Sequence, residues 1–425
     1  MDGHSRSVSP ALPVVVFIEI MHCLLPAIIL VSTSKRSVLR YFSVLAMTFM
    51  TMQATRPVLG LGHTGAYFIG HIAITTLQAA DILLINPKDS YDLGYESSSG
   101  PTYCLIRAIQ LVTQTRAINT PWQVKNVPSF PKYYTRRNPK AISRPRFLSR
   151  QLSIATWQYL ILDIFSTLTI ENAPNRKQDI SAQIEWNLSF SQWIERAVSN
   201  LIAWFFVARL LIDIHYRIFS IIFVAFGIDK PSSFPPLFAR VSMAYTLRKF
   251  WGNFWHQMLR KPFTAVSNFV ARNLLCLPRP SILERYINIF IVFLLSGMMH
   301  VFVDVSKGIA PQDSGAIAFF TSFTIGFIIE DGIQILWKRL WTSKDNNYPR
   351  GKVYLSTWQK TVGFCWVMLW LSIVSTWYFE PMRQSTVDQN GLVPFRISSR
   401  FGLHAVLPAV IVGAVILHIV FETEV

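Results

Sequence analysis

The sequence predicts an all-α protein that crosses a membrane about nine times. Of its 425 residues, 51% are apolar and 15% are charged, whereas a soluble domain carries about 25% charged residues. Its 40 Lys and Arg residues exceed its 23 Asp and Glu residues, which gives a net charge of +17. This charge is spread among long hydrophobic runs, which is not typical of a nucleic-acid-binding protein. We therefore predict a polytopic integral membrane protein with interfacial amphipathic helices, the lipid bilayer as a partner and no nucleic-acid partner.

Nine apolar stretches approach the roughly 20 residues that an α-helix needs to cross the hydrocarbon core. The first stretch is too long and too lightly charged for a cleaved signal peptide, so we interpret it as a span that also targets the chain. The nine stretches are residues 12–33, 38–54, 64–85, 152–170, 201–222, 286–305, 316–337, 361–379 and 403–421.

The basic residues predict which side of the membrane each loop occupies. Lys and Arg collect in residues 87–150, 229–285 and 338–360, and the intervening loops are mixed in sign. Because cytoplasmic loops carry the Lys and Arg excess, we expect a lumenal N-terminus and a cytoplasmic C-terminus in the endoplasmic reticulum membrane. The Asn-Leu-Ser sequon at Asn187 falls in a predicted lumenal loop, so Asn187 is a candidate N-glycan site.

These patterns divide the chain into four regions. We predict N-terminal spans in residues 1–86, a basic cytoplasmic loop in 87–150 and central spans in 151–228. Residues 229–425 hold the candidate catalytic motifs and the C-terminal spans. Aromatic residues in the basic loops favour amphipathic segments that lie on the membrane. These residues are Tyr133, Tyr134, Phe147, Phe238, Phe250 and Trp251.

The clearest chemical pattern lies in residues 247–260, here called the motif segment. If it is one helix, its polar residues share a face of about 60° and aromatic residues cover the other side. We predict an amphipathic helix in the membrane interface; the alternative is a simple anchor whose Trp side chains lie at the headgroups. An amide and an imidazole in the polar stripe favour a chemical role. The stripe consists of Lys249, Asn253, His256 and Arg260.

A second candidate is His300, which lies inside a predicted span. Ionisable side chains in spans are costly and mark functional sites, and a buried neutral imidazole can serve as a general base. The alternative is a histidine that is bonded to a neighbouring helix. The four cysteines form no C-x-x-C pair, and the Walker A and G-x-S-x-G motifs are absent. We therefore expect no metal site, no ATP-driven transport and no serine hydrolysis.

These residues resemble a known family. The pattern F-W-x-x-x-W-H-x-x-L-R in the motif segment resembles the signature of the wax-synthase-like domain, within the membrane-bound O-acyltransferase group. His300 matches the place of that group's intramembrane catalytic histidine. Residues 115–128, here called the upstream segment, resemble a segment of fungal members that are membrane acetyltransferases of terpenoid and meroterpenoid pathways.

The resemblance implies acetyl transfer from acetyl-CoA, a co-substrate and not a permanently bound cofactor, to a hydroxyl of a hydrophobic, terpenoid-like alcohol. It implies that His300 removes the hydroxyl proton and that Asn253 or His256 stabilises the oxyanion; the choice between these two stays open. The basic cytoplasmic loops suit the anionic CoA. The candidate CoA-binding residues are Arg248, Lys249, Trp255 and Arg260.

Three other functions compete with acetyl transfer. A long-chain wax-ester or sterol-ester synthase differs only in its acyl tunnel, which one sequence does not define. A secondary transporter would account for many spans with buried charges, but the sequence lacks the paired halves with interrupted helices that are typical of that class. A membrane terpene cyclase would use Glu330 and Asp331 as proton donors, and would leave His300 and the motif segment without a role.

Overall fold

The computed structural model describes residues 11–59, 61–93, 100–135, 142–171, 187–342, 356–384 and 392–421, and these residues form helices and loops without strands. The α-helices are α1 (Ala11–Ser32), α2 (Leu39–Ala54), α3 (Gly62–Ala80), α4 (Pro101–Thr113), α5 (Lys132–Thr135), α6 (Arg144–Glu171), α7 (Phe190–Ile202), α8 (Arg209–Ala225), α9 (Leu247–Lys249), α10 (Arg260–Phe269), α11 (Ile282–Ser306), α12 (Ala316–Thr342), α13 (Thr357–Gln384), α14 (Ile397–Phe401) and α15 (Leu403–Phe421). Short π-helices occupy Asp81–Ile85, Ala203–Ala208, Phe250–Phe254 and Val270–Leu274, and 3-10 turns occupy Tyr91–Leu93, Pro231–Ser233 and Val241–Met243.

Seven helical segments in the described ranges are long and apolar enough to cross a membrane. The all-α membrane class is therefore confirmed, whereas two of the nine predicted spans do not qualify. Helix α2 has 16 residues, fewer than the roughly 20 that a span needs. Helix α6 has 28 residues but is too polar. The seven segments are Pro13–Ser32, Gly65–Ile85, Phe190–Ala225, Ile282–Ser306, Ala316–Trp337, Thr357–Arg383 and Leu403–Phe421.

The polar side chains of α6 face protein. This helix packs against both α8 and α15. The buried Gln158 donates a hydrogen bond to Asp213 Oδ2 at 2.7 Å, and the buried Asp163 accepts one from the backbone N–H of Ser398 at 2.7 Å. Because neighbouring helices bond the Gln158 amide nitrogen and one oxygen of Asp163, the average hydrophobicity of α6 underestimates how well it fits among membrane helices.

Helices α11 and α12 form a close antiparallel pair at the centre of the protein. Gly297 of α11 allows this approach, because a Cβ atom at that position would lie 2.8 Å from the Cα atom of Ile317. Beside the pair lies the largest cluster of buried apolar side chains, which is mostly aromatic. It includes Trp204, Phe250, Phe254, Trp255, Phe293, Phe319, Phe320 and Phe323.

The motif segment is not one helix, contrary to the prediction. After α9 the chain forms the π-helix Phe250–Phe254, and Trp255 is extended at φ −70° and ψ 155° before α10 begins at Arg260. Phe250 and Phe254 are fully buried, so the aromatic side of the first half of the segment packs against protein. The physical reason is that four of the six residues from Phe250 to Trp255 are aromatic, which leaves no wide polar face for water or headgroups.

The first half of the motif segment runs alongside α12. Arg248 Nη2 donates to Asp331 Oδ2 at 2.9 Å, whereas the Trp251 ring lies 6.0 Å from the Phe320 ring, centroid to centroid. Asp331 and Phe320 are eleven residues apart on α12, which is about 16 Å along a helix. Other aromatic residues that the sequence assigned to the membrane surface, Phe147 and Tyr134, are also buried in protein.

Candidate functional site

His256 and His300 line the same cavity, which has a volume of about 190 Å³. Its wall combines α3, α8 and α11 with the second half of the motif segment, and Phe320 and Tyr378 contribute from α12 and α13. His71 and His215 also face this space, so we call it the histidine cavity. The fold therefore joins the two histidines that the sequence singled out, although 44 positions separate them in the chain.

The ring of His300 is held in one orientation. Its Nδ1 atom lies 2.7 Å from the carbonyl oxygen of Ser296. Because a carbonyl only accepts, this contact assigns the proton to Nδ1 and leaves Nε2 with a lone pair. The ring also contacts Phe320 at 4.3 Å and Tyr378 at 5.7 Å between centroids. His300 is thus arranged to accept a proton at Nε2.

His256 is neutral and incompletely bonded. It follows the extended Trp255, and its ring packs against the rings of Phe238 and Trp255 at 5.9 and 5.6 Å. Burial, together with the nearby His300 and Arg116, lowers the pKa of His256 to about 3. Its buried Nδ1 atom has no hydrogen-bond partner among the described residues.

The structure separates Asn253 from His256. Asn253 lies on the π-helix and is not among the residues that line the histidine cavity, whereas Trp255 and His256 are. The predicted stripe assumed about 100° per residue, and neither the π-helix nor the extended Trp255 keeps that rotation.

The predicted CoA-binding cations have partners within the protein. Arg248 pairs with Asp331, and Lys249 bonds the Tyr245 hydroxyl and lies over its ring. Arg260 Nη1 donates to the carbonyls of Lys125 at 3.1 Å and Gly252 at 3.3 Å, and burial lowers its pKa. None of the three lines the histidine cavity.

Glu330 and Asp331, the acids of the cyclase alternative, are similarly engaged. Glu330 accepts hydrogen bonds from the backbone N–H groups of Leu247 and Arg248 at 2.7 and 3.3 Å. Asp331 accepts from Arg248, Arg285 and Tyr286. Both carboxylates therefore hold the motif segment and α11 in place. In the described part of the chain, no group of three or more His, Cys, Asp and Glu side chains is arranged to hold a metal ion.

The cavity also contains polar residues that the sequence reasoning missed. His71 of α3 pairs with Glu19 of α1, and the Tyr67 ring stacks on His215 at 4.0 Å between centroids. His215 Nδ1 contacts the carbonyl oxygen of Leu211 at 2.6 Å, in the same manner as His300. The signal that could have found them is the one that found His300, an ionisable residue within an apolar span.

The upstream segment contacts the motif segment directly. Gln257 Nε2 donates to the Asn126 carbonyl at 2.8 Å, and Asn126 Nδ2 donates to the Gly252 carbonyl at 3.3 Å. The buried Arg116 donates to the carbonyls of Pro235 and Pro236 at 2.8 and 2.9 Å, and borders a small cavity of about 30 Å³. This cavity and the histidine cavity share Tyr67, His71 and Met258 as lining residues.

Comparisons with known proteins match the same region. The profile described as the "Membrane bound O-acyl transferase family" matches residues 234–322, which include His256 and His300. Acetyltransferase spyB of Aspergillus fumigatus is 38% identical to this chain, and the match covers 94% of the chain and 69% of the relative. Acetyltransferase atnC of Arthrinium sp. is 36% identical, with 89% and 90% covered. Acetyltransferase TRI7 of Fusarium sporotrichioides is 32% identical, with 95% and 94% covered.

Proposed function

Since the chain belongs to the membrane bound O-acyl transferase family and is a membrane acetyltransferase, we propose that it acetylates a hydroxyl of a terpenoid or meroterpenoid intermediate of secondary metabolism. The acetyl donor is acetyl-CoA, and the reaction occurs in the histidine cavity. The observation that carries this site assignment is the contact between His300 Nδ1 and the Ser296 carbonyl, which leaves Nε2 free to act as a base.

The reaction needs a base and an oxyanion donor. His300 Nε2 takes the hydroxyl proton as the alcohol oxygen attacks the thioester carbonyl, and a carbon–oxygen bond forms. His256 donates a hydrogen bond to the resulting oxyanion. When the carbon–sulfur bond breaks, the CoA thiolate takes the proton from His300, so the products are the acetate ester and free CoA. Asn253 remains the alternative oxyanion donor, acting after a rearrangement of the π-helix.

The cavity size favours a short acyl group. A space of about 190 Å³, bounded by Trp251, Phe320 and Tyr378, holds the two reacting ends of the substrates. It falls below the roughly 300–1,000 Å³ of sites that enclose drug-sized ligands. A long acyl chain would need an additional tunnel, whereas an acetyl group needs no space beyond this cavity.

The motif segment provides groups for CoA. Arg260 uses Nη1 for backbone carbonyls, and a guanidinium has further N–H donors for a phosphate. Trp255 can pack against the acyl end, because it lines the cavity. Arg248 and Lys249 can contact CoA only if CoA displaces their present partners, Asp331 and Tyr245.

The cellular placement is part of the proposal. The protein lies in the endoplasmic reticulum membrane with a lumenal N-terminus and a cytoplasmic C-terminus. Asn187 is exposed just before α7 and carries an N-glycan. Endoglycosidase treatment should then increase the gel mobility of the wild type but not of Asn187→Gln. Equal mobility of both proteins before treatment would contradict the glycan and the lumenal position of this loop.

Microsomes that contain the protein provide the test of activity. They are incubated with labelled acetyl-CoA or palmitoyl-CoA and a panel of terpenoid alcohols. We expect labelled ester from acetyl-CoA only, and none from microsomes that contain His300→Ala at equal expression. Ester formation by His300→Ala would refute the assigned base, and preference for palmitoyl-CoA would support the wax-ester alternative.

A further inference from the structure

We propose that Lys307 determines acceptor specificity by binding a second oxygen-bearing group of the acceptor, a carbonyl or a carboxylate, while His300 holds the hydroxyl to be acetylated. This inference rests on the proposed function and adds a recognition site to it.

Lys307 and His300 face the same cavity from the same helix. Lys307 is the first residue after α11 and lines the histidine cavity together with His300. A spacing of seven residues is close to two helical turns, so the two side chains start from one face, about 10 Å apart along the axis. An acceptor in the cavity can therefore contact both residues at once.

Among the residues that the structure describes, the ammonium group of Lys307 has no strong acceptor. Its hydrogen bond among the described residues goes to the thioether sulfur of Met382 at 3.7 Å, and a thioether is a weak acceptor. No carboxylate in the described ranges lies within ion-pair distance of Lys307. The buried Asp304 acts on Lys307 electrostatically, but its Oδ2 atom accepts a hydrogen bond from Ser314 Oγ at 2.6 Å. An ammonium with unfilled donors at a cavity wall is best satisfied by a ligand oxygen.

The order of residues along α11 assigns this ligand to the acceptor. Arg285 marks one end of the helix, where it shares Asp331 with Arg248 of the motif segment. His300 lies about 22 Å further along, and Lys307 lies beyond it. In the proposed topology the basic loop of residues 229–285 faces the cytoplasm, so CoA enters at the Arg285 end of α11 and its thioester reaches His300 before it reaches Lys307. The space beside Lys307 is therefore left to the acceptor.

The test combines one variant with two acceptors. The acceptors are the best alcohol of the terpenoid panel and its analogue in which the second oxygen-bearing group is replaced by hydrogen or methyl. For Lys307→Gln we expect a KM for the full acceptor that is raised about tenfold or more, and an unchanged KM for acetyl-CoA. With the analogue, Lys307→Gln and wild type should have similar KM values. Lys307→Arg should retain part of the wild-type preference for the full acceptor over its analogue. The exposed Lys230→Gln serves as the control and should keep the wild-type KM values.

Several results would overturn the inference. One is that the best acceptor carries no second oxygen-bearing group. Another is that Lys307→Gln raises the KM for acetyl-CoA and not the KM for the acceptor. A third is that Lys307→Gln raises the KM for the full acceptor and for its analogue by the same factor. The comparison of the two acceptors on the wild type alone decides the question if Lys307→Gln does not fold: equal KM values contradict the proposal. If the wild type is active and His300→Ala is inactive while Lys307→Gln behaves as wild type, only this inference fails. If the wild type acetylates no alcohol, the proposed function fails.

Discussion

The Nδ1 atom of His300 lies 2.7 Å from the carbonyl oxygen of Ser296, one turn earlier on α11. The acceptor is a main-chain carbonyl, so the contact fixes the histidine tautomer whatever side chain occupies residue 296. If His300 is the base, His300→Gln should lower kcat by about 10²–10⁴-fold, because general base catalysis contributes that much. Initial rates with saturating acetyl-CoA measure this. Met298→Leu, on the exposed side of the same helix, should retain wild-type kcat.

His256 and Asn253 differ in their access to the reaction. Because only His256 of the two lines the histidine cavity, His256→Ala should lower kcat by about 10²–10³-fold, the usual effect of removing one oxyanion donor. Asn253→Ala should lower kcat by less than about tenfold. The two single variants, assayed side by side, provide the comparison. The reverse ranking would assign the oxyanion to Asn253.

The buried His256 makes the fold sensitive to acid. Its pKa of about 3 lies below the ordinary value of about 6.5, so between these pH values the unfolded chain binds a proton that the folded chain excludes. The free energy of unfolding therefore receives the full contribution of His256 above pH 6.5, and this contribution declines as the pH falls toward 3. Thermal unfolding in detergent should therefore show a larger loss of Tm from pH 7 to pH 5 for the wild type than for His256→Gln. Identical losses would show that His256 is protonated in the folded state.

Gly297 keeps α11 against α12. A Cβ atom at residue 297 would lie 2.8 Å from the backbone of Ile317, so Gly297→Ala should separate the helices and cost about 1–3 kcal/mol of stability. His300 lies three residues later, so kcat should fall as well. Gly332→Ala is the matched control, because nothing lies within 4 Å of its added Cβ atom. It should keep Tm or raise it, since Ala favours a helix. A Tm for Gly297→Ala equal to that of the wild type would contradict the close approach.

The sequence was sufficient for the spans that face lipid and for the isolated histidine within one of them. The sequence predicted a span at residues 152–170, but α6 is not among the seven apolar segments. Its polar residues Gln158 and Asp163 are buried against other parts of the protein, and a linear sequence does not show which neighbours they bond. The periodicity of a regular α-helix placed Asn253 beside His256, and the π-helix removes that relationship. His71 could not be distinguished from a structural histidine, since its pairing with Glu19 depends on how α1 and α3 pack.

The partners of Arg248, Lys249 and Arg260 were hidden for a similar reason. Their charges suggested an anionic ligand, but Arg248 pairs with Asp331, Lys249 bonds the hydroxyl of Tyr245 four residues earlier, and Arg260 bonds main-chain carbonyls. The sequence alone does not show whether a cationic side chain near a predicted site already has a partner within the protein. That distinction depends on tertiary structure.

The hydrogen bonds from Leu247 and Arg248 to Glu330 join two parts of the chain that are synthesised at different times. The motif segment leaves the ribosome before α12 and α13, yet Glu330 of α12 holds its first turn and Tyr378 of α13 closes the cavity around His300. A nascent chain that has completed only α11 already contains His256 and His300 but lacks the side chains of α12 and α13 that line the histidine cavity. If the histidine cavity is the active site, activity requires that α13 has been inserted. A chain that ends before α12 would leave the aromatic side of the motif segment uncovered.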